Sequence, residues 1–404
     1  MNKQGKQMAI WLGALALGAV LGLLNVTWIN GTCNALATIF TRLFQFIAVP
    51  TIAVSVLTTL ATLGGSASTG RIFRHAITYT LLTTLTAACV AAALFFIISP
   101  GNLPAGVVAS ATSGIPQNLG DSSYGDYLIN IVPNNIVTPF SSGNVLSVLL
   151  IAVAFGIGLS RMKPSQHKDA VMNFFTGLQE LLFMLIGWLV AILPIGILAY
   201  AAQLTAQIES GMAIDSLGKY TAVILGSNCV QFFVILPLFL LARGINPLKH
   251  LKNMSRAILT ALFTKSSAAT LPVTMQCAEE RCGCEKGVSR FVLPLCTTIN
   301  MNGCAAFILA TSLFVMQHGG VEFTLLSVIG WIFTAVISAV GNAGVPMGCY
   351  FLTLSLMAGN GMPVGVLGII LPIYTIIDMV ETAENVYSDS CVCVMVNRDV
   401  NKTE

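Results

Sequence analysis

The sequence predicts an α-helical polytopic membrane protein. Of its 404 residues, 55% are hydrophobic and only 9% are charged, and the mean hydropathy is +0.84. A water-soluble protein of this size would carry roughly 25% charged residues. The apolar residues are gathered into runs of about 20, the length that a helix needs to cross a bilayer. The net charge of +3 says little about partners other than lipid, and no nucleic acid is expected among them.

Six apolar runs precede the C-terminal region. The first is long enough to remain as a span, and no signal-peptide cleavage site is evident. The Gly- and Asn-rich stretch 100–142, which contains Asp121 and Asp126, predicts an exposed extracellular segment. The runs are 8–25, 37–63, 75–99, 143–160, 172–203 and 220–242.

Basic residues follow alternate runs and predict the orientation in the membrane. The loops 25–36 and 101–137 contain no Lys or Arg. The positive-inside rule therefore places both termini of a multi-pass protein in the cytoplasm. The basic residues that carry this prediction are Lys3, Lys6, Arg71, Arg74, Arg161, Lys163, Lys168, Arg243, Lys249, Lys252, Arg256, Arg398 and Lys402.

The 11 cysteines lie mostly in apolar runs, which favours free, buried thiols. Cys277, Cys282 and Cys284 form a cluster beside Glu279 and Glu280 with no histidine nearby in the sequence. A metal site at this cluster is the alternative interpretation.

Two later segments are interrupted in the same way. Residues 249–286 place Lys-Ser-Ser-Ala-Ala-Thr-Leu-Pro between apolar flanks, and residues 324–365 place Gly-Asn-Ala-Gly-Val-Pro in an apolar run. Paired interruptions predict re-entrant hairpins, whose half-helices meet within the membrane and mark a transporter's binding site. Helices kinked at Pro272 and Pro346 are the alternative.

Between these segments, residues 293–307 read LPLCTTINMNGCAAF. Thr297, Thr298, Asn300 and Asn302 interrupt an apolar span there. Their side-chain oxygens, together with carbonyls freed by an unwound turn, suit a hard monovalent cation such as Na⁺. This segment therefore predicts a sodium site.

The segment DMVETAENVYSD, residues 378–389, brings four carboxylates into an apolar stretch. In a helix, most of its polar side chains share one face, and Glu384 lies off that face. Carboxylates in a membrane are costly and usually face a bundle interior or a cavity, where they bind cations. A helix lying on the membrane surface is the alternative, which the apolar flanks and repulsion by anionic lipid disfavour. The shared face consists of Asp378, Glu381, Thr382, Asn385 and Asp389.

Four motifs, TKSSAATLPVTM, TTINMNG, GNAGVPMG and DMVETAENVYSD, occur in this order. With them, the chain resembles the dicarboxylate/amino acid:cation symporter family over essentially its whole length. The resemblance implies the glutamate-transporter fold, with eight transmembrane spans plus two re-entrant hairpins. It also implies a homotrimer in the plasma membrane, here the bacterial inner membrane, that works by an elevator movement. It further implies a scaffold, which would comprise residues 1–70 with spans 1 and 2 and residues 101–205 with spans 4 and 5. The transport domain would comprise 71–100 (span 3), 206–246 (span 6) and 247–404 (hairpin 1, span 7, hairpin 2 and span 8).

The resemblance also implies roles for single residues. Asp378 would bind the α-ammonium group of an amino acid, Asn385 its α-carboxylate, and hairpin 2 would be the gate. The implied substrate pocket comprises Ser266, Ser267, Cys304, Val345, Asp378, Glu381, Thr382 and Asn385. The first implied sodium site comprises Asn300, Asn385 and Asp389, and the second comprises Thr298 with the carbonyls around Val340 and Asn342.

One departure from the family pattern concerns the substrate. Where transporters of acidic amino acids carry an arginine that pairs with the side-chain carboxylate, this chain has Glu381. A buried glutamate would repel a second carboxylate but accept a hydrogen bond from a hydroxyl. The sequence therefore predicts a small neutral amino acid, serine or threonine first, as in the related serine/threonine:sodium symporters. Lys265 leaves the acidic alternative open, because it could neutralise either Glu381 or Asp378, and a protonated Glu381 could add proton coupling.

A second departure concerns sodium. The family's third sodium site uses an aspartate where this chain has Asn302, so a weakened site and fewer coupled Na⁺ ions are expected. Cys296 and Cys304 replace small residues, and Cys304 would line the pocket, where thiol reagents could probe it. The hydroxyls that remain for the third site are those of Thr80, Thr83 and Thr84.

The sequence disfavours two other classes of function. An intramembrane hydrolase with Ser266 or Ser267 as nucleophile would need a base, and none of the four histidines lies in a convincing motif. An amino-acid-gated anion channel would not need a carboxylate-lined, hairpin-gated pocket. The chain is thus predicted to be no enzyme, with Na⁺ as the co-transported ion and no organic cofactor.

Overall fold

The structure is a computed structural model that describes residues 3–24, 26–63, 70–103, 132–142, 145–207, 211–340 and 347–401. All regular structure within these ranges is helical, in agreement with the predicted class. In the described part of the chain, four helices are long and apolar enough to cross a membrane. A bent pair, Gly365–Leu371 and Ile376–Asn401, adds a fifth if it counts as one span. The number of eight spans plus two hairpins stays a prediction.

The first half of the chain follows the predicted runs, with one difference. Helix α2 begins at Thr27, so the stretch predicted as a loop is largely helical. Its hydroxyl groups are satisfied inside the helix: Thr32 donates to the Trp28 carbonyl and Thr38 to the Asn34 carbonyl. The helices are α1 (Lys3–Leu23), α2 (Thr27–Leu63), α3 (Gly70–Ile98), α4 (Val137–Ser142), α5 (Val145–Arg161), α6 (Gln166–Gln207), α7 (Gly211–Val230) and α8 (Leu236–Ala242), with a π-helical turn at Gln231–Ile235.

The second half is broken where the sequence is polar. Helices α9 and α10 meet at Lys265, whose left-handed φ of 53° ends α9, and pack against each other. Pro272 lies inside α10 and does not break it, so the first interruption is not a kink at this proline. Pro346 lies outside the described residues. The helices are α9 (Pro247–Thr264), α10 (Ser267–Glu280), α11 (Lys286–Ile299), α12 (Asn302–His318), α13 (Leu325–Val340), α14 (Gly348–Gly359) and α15 (Gly365–Asn401).

The helices pack in two groups. Helices α1 and α2 lie against α6, and α2 also contacts α5. In the other group, α3, α7, α9 to α11, α13 and α14 pack around α12 and α15. The two groups touch where α14 contacts α2 and where α15 contacts α6. The division into a fixed scaffold and a moving transport domain stays a prediction. Asp121 and Asp126 of the predicted extracellular segment lie outside the described residues.

Helix α12 is the centre of the second group. Its residues from Asn302 to Met316 are all buried, and α15 is buried from Ala383 to Val396. Burial on every side rules out a surface position for the acidic segment of α15. By contrast, Phe46, Phe174 and Trp188 on α2 and α6 are 69%, 64% and 61% exposed, as expected for an apolar surface in lipid.

Candidate functional site

A buried network of polar side chains surrounds the break between α11 and α12. Asn300 and Met301 leave the helical conformation, with ψ angles of 68°. The Asn300 amide donates to Asp389 Oδ1 (3.0 Å) and to Ser388 Oγ (2.9 Å) on α15. Its Oδ1 accepts from Thr83 Oγ1 of α3 (3.0 Å). Three elements therefore meet at one buried asparagine.

The next residues of α12 extend this network. Asn302 accepts from Thr84 Oγ1 (2.9 Å) and donates to Ser388 Oγ (2.7 Å). The Gly303 N–H donates to Asn385 Oδ1 (2.9 Å). The structure thus brings together the residues predicted for the first sodium site, along with most of those predicted for the third. Asp389 is 1% exposed, and its carboxylate, which accepts from the Asn300 amide, offers oxygen ligands that suit a hard cation.

Other predicted sodium ligands lie differently. Thr80 contacts Cys296 Sγ at 3.8 Å, and neither side chain joins the asparagine network directly. Thr298 donates to the Leu295 carbonyl of its own helix (2.8 Å). Val340 ends α13, and Asn342 lies outside the described residues. The second sodium site is therefore described only in part.

The turn between α9 and α10 places a lysine beside Asp378 of α15. Lys265 Nζ lies 4.0 Å from Asp378 Oδ2, and both side chains are largely buried. Ser266 Oγ caps α10 by accepting from the Ala269 N–H (3.2 Å), and Ser267 begins that helix at 3% exposure. The sequence left Glu381 or Asp378 as the partner of Lys265, and the structure selects Asp378.

Helix α15 bends by 80° just before the acidic residues. At the bend, Tyr374 OH donates to both Asp378 Oδ1 and Glu381 Oε2, each at 3.4 Å. Asp378 is 4% exposed and Glu381 1%. Thr382 turns its hydroxyl to the Asp378 carbonyl (2.7 Å), so this group bonds within the helix. One tyrosine hydroxyl therefore links the two carboxylates.

Tyr374 and Ser388 were missed by the sequence reasoning. Tyr374 lies four residues before Asp378, on the same helical face, and this spacing was a usable signal. Ser388 precedes Asp389 but carries no charge, and only the tertiary structure shows that it accepts from two asparagines.

The prediction of free thiols is wrong for two cysteines. Cys304 of α12 and Cys349 of α14 form a disulfide, with Cα atoms 5.4 Å apart. The bond also removes Cys304 as a target for thiol reagents while it is intact. Cys304 Sγ accepts from the Asn385 amide (3.5 Å), so the bond lies beside predicted pocket residues. Val345 lies outside the described residues. The nine free cysteines of the described chain are Cys33, Cys89, Cys229, Cys277, Cys282, Cys284, Cys296, Cys391 and Cys393.

The metal alternative at Cys277, Cys282 and Cys284 gains no support. Within the described ranges, the one set of three ligand atoms close enough to share a metal consists of Cys304, Cys349 and Glu381, and the disulfide between its two cysteines leaves them no thiolate to bind one. His250 does approach Cys282, with Nδ1 and Sγ 3.6 Å apart, but this is a single contact.

Buried carboxylates around broken helices, inside an apolar helical bundle, define this protein as a membrane transporter. The chain belongs to the sodium:dicarboxylate symporter family, whose model matches residues 8–399. It is 30% identical to the neutral amino acid transporter B(0) of Oryctolagus cuniculus over 397 residues, which cover 90% of this chain and 73% of the relative. It is also 30% identical to the neutral amino acid transporter A of Bos taurus over 420 residues, covering 94% and 78%. These matches confirm the resemblance seen in the motifs.

Proposed function

We propose that the chain is a sodium-coupled symporter that imports a small neutral amino acid, serine or threonine first. Sodium symport is supported by the family, and a neutral substrate by the relatives named neutral amino acid transporters. A homotrimer, an elevator movement and gating by the second hairpin belong to the same proposal. The observation that carries the choice of substrate is the environment of Glu381.

Glu381 is a buried carboxylate one helical turn from Asp378. Lys265 is paired with Asp378, and none of the ion pairs found among the described residues includes Glu381. A second carboxylate on the substrate, about 4 Å away, would cost on the order of 4 kcal/mol even at an effective dielectric constant of 20. A substrate hydroxyl would instead donate a hydrogen bond to Glu381.

The remaining groups fit the two ends of an amino acid. Asp378 would hold the α-ammonium group in competition with Lys265. The N-terminus of α10 at Ser266 and Ser267 carries a partial positive charge and would attract the α-carboxylate, to which the Asn385 amide would also donate. Na⁺ would bind among Asn300, Asn385 and Asp389, close to the substrate. Its positive charge would offset the buried carboxylate of Asp389.

The test is uptake of radiolabelled L-serine into proteoliposomes under an inward Na⁺ gradient, with unlabelled threonine, alanine, aspartate and lysine as competitors. We expect uptake that saturates, needs Na⁺, is blocked by threonine and is untouched by aspartate. Strong competition by aspartate would overturn the neutral substrate, and substrate-gated conductance without accumulation would favour an anion channel.

Replacing Glu381 with arginine is expected to reverse the charge preference. Serine uptake should fall, and competition by aspartate should strengthen by about 100-fold or more, because repulsion becomes attraction in a buried site. The measurement is the inhibition constant of aspartate against residual uptake. Glu381→Gln is the matched control: it removes the repulsion without adding a cation, so aspartate should compete only weakly. Equal aspartate inhibition in all three proteins would contradict the assigned role of Glu381.

Replacing Asn302 with aspartate is expected to strengthen sodium coupling. The carboxylate would still accept from Thr84 and could accept from Ser388, while adding a negative charge among these hydroxyls. The Na⁺ concentration for half-maximal uptake should fall by about tenfold, with a steeper Na⁺ dependence. Asn302→Leu removes the side-chain oxygen and should raise the Na⁺ concentration for half-maximal uptake. An unchanged Na⁺ dependence in Asn302→Asp would show that no cation binds near this residue.

A further inference from the structure

Glu384 is a buried carboxylate that the substrate and sodium sites described above do not use. It lies off the polar face of α15 and is 1% exposed. Neither of its carboxylate oxygens has a hydrogen-bond partner within the described part of the chain. A carboxylate held in this way needs a positively charged partner or a hydrogen-bond donor.

Asn228 on α7 presents a second acceptor of the same kind. It is also 1% exposed, and its Nδ2 donates to the Ile224 carbonyl of its own helix (2.8 Å). Its Oδ1 has no partner among the described residues. The amide thus has its donor group occupied and its acceptor unused.

Gly303 brings these two acceptors together. A Cβ atom added at Gly303 would lie 2.9 Å from Asn228 Oδ1 and 2.9 Å from Glu384 Oε2. Oxygens from α7 and α15 therefore border the same point, at the one residue of this turn that has no side chain. Any side chain at position 303 would fill the space between them.

Protein groups around this point leave the negative charge uncompensated. The ion pairs of the described residues include none with Glu384. The N-terminus of α12 lies nearby, but its Gly303 N–H donates to Asn385. Asn228 Oδ1 and an ionised Glu384 only accept, so they cannot satisfy each other. The missing component is either a cation or a proton on Glu384 that is donated to Asn228.

We propose that Glu384 and Asn228 bind a monovalent alkali cation, Na⁺ first, beside Gly303 and apart from the site of Asn300, Asn385 and Asp389. Carboxylate and amide oxygens are hard ligands, and one carboxylate balances one monovalent charge. The identification of the cation rests on the proposed sodium symport. One turn after Glu384, Ser388 binds Asn302, the position at which the resemblance implies a lost carboxylate. Glu384 returns a negative charge to this region from another helix.

The experiment is calorimetric titration of the purified full-length protein with NaCl, without amino acid, at constant ionic strength with choline. Glu384→Gln is expected to bind one Na⁺ fewer than the unmodified protein, or that ion at least about tenfold more weakly. Glutamine keeps the shape of the side chain and can donate to Asn228, so it imitates a protonated glutamate. Glu279→Gln removes a carboxylate outside this region, one that accepts from Ser289 and pairs with Arg290, and is expected to leave the number of bound ions unchanged.

Equal Na⁺ binding by Glu384→Gln and the unmodified protein would overturn the proposal. A neutral Glu384 that donates to Asn228 would then satisfy both buried acceptors without a cation. Should Glu384→Gln fail to fold, the Asn228→Asp variant tests the same site, because it places a second carboxylate beside Glu384. A second carboxylate is expected to tighten binding of Ca²⁺ at least about tenfold, and an unchanged Ca²⁺ affinity overturns the site. Failure of the proposed function can be told apart from failure of this cation site. If serine uptake is absent but Na⁺ binds as expected, the serine symporter is refuted and the cation site is retained.

Discussion

Replacing Asp378 with asparagine is expected to reduce Na⁺-driven serine uptake by at least about 100-fold. The change removes the carboxylate that would bind the substrate ammonium group. It also breaks the buried pair with Lys265, and loss of one partner of such a pair typically costs about 3–5 kcal/mol. Both effects act on the same pocket. The measurement is the initial rate of uptake in proteoliposomes, with the amount of reconstituted protein matched.

A double variant separates binding from stability. Asp378→Asn with Lys265→Met removes both charges, so it is expected to recover thermal stability relative to Asp378→Asn alone but not uptake. Asp378→Glu keeps the charge and should retain part of the uptake. Near-normal uptake by Asp378→Asn would mean that the ammonium group binds elsewhere, with Glu381 as the next candidate.

Reducing the Cys304–Cys349 disulfide is expected to raise serine uptake by about tenfold or more. The bond joins α12 to the first turn of α14, which follows residues 341–346, the predicted tip of the second hairpin. If that hairpin is the gate, the bond holds it against α12 and blocks the opening that admits substrate. The measurement is uptake before and after dithiothreitol, with the fraction of bonded protein determined by mass spectrometry.

Single variants supply the controls for this effect. Cys304→Ala and Cys349→Ala cannot form the bond and should be active without reductant and insensitive to it. Cys277→Ala removes a buried free thiol and should remain as sensitive as the unmodified protein. Uptake that is unchanged while mass spectrometry shows the bond broken would mean that gating does not require this hairpin to leave α12.

The pattern of the chain alone determined much of the fold. Hydropathy predicted the helical class, and polar interruptions predicted breaks that the structure places at Lys265 and at Asn300–Met301. These features are local: a polar or Asn-rich turn interrupts a helix wherever the chain folds, and a period of three to four residues puts Asp378, Glu381 and Asp389 on one face. The family followed from the same motifs, because each is a continuous segment.

Only the tertiary structure decided which distant groups meet. The pairing of Lys265 with Asp378 crosses more than 100 positions, and the Cys304–Cys349 bond crosses 45. Neither leaves a periodic signal in a single sequence. Glu384 is the clearest case: its spacing placed it off the polar face, but packing near Gly303 and Asn228 made it a buried acceptor with no hydrogen-bond partner among the described residues. Local periodicity fixes the direction of a side chain around its helix, whereas its partner depends on helix packing.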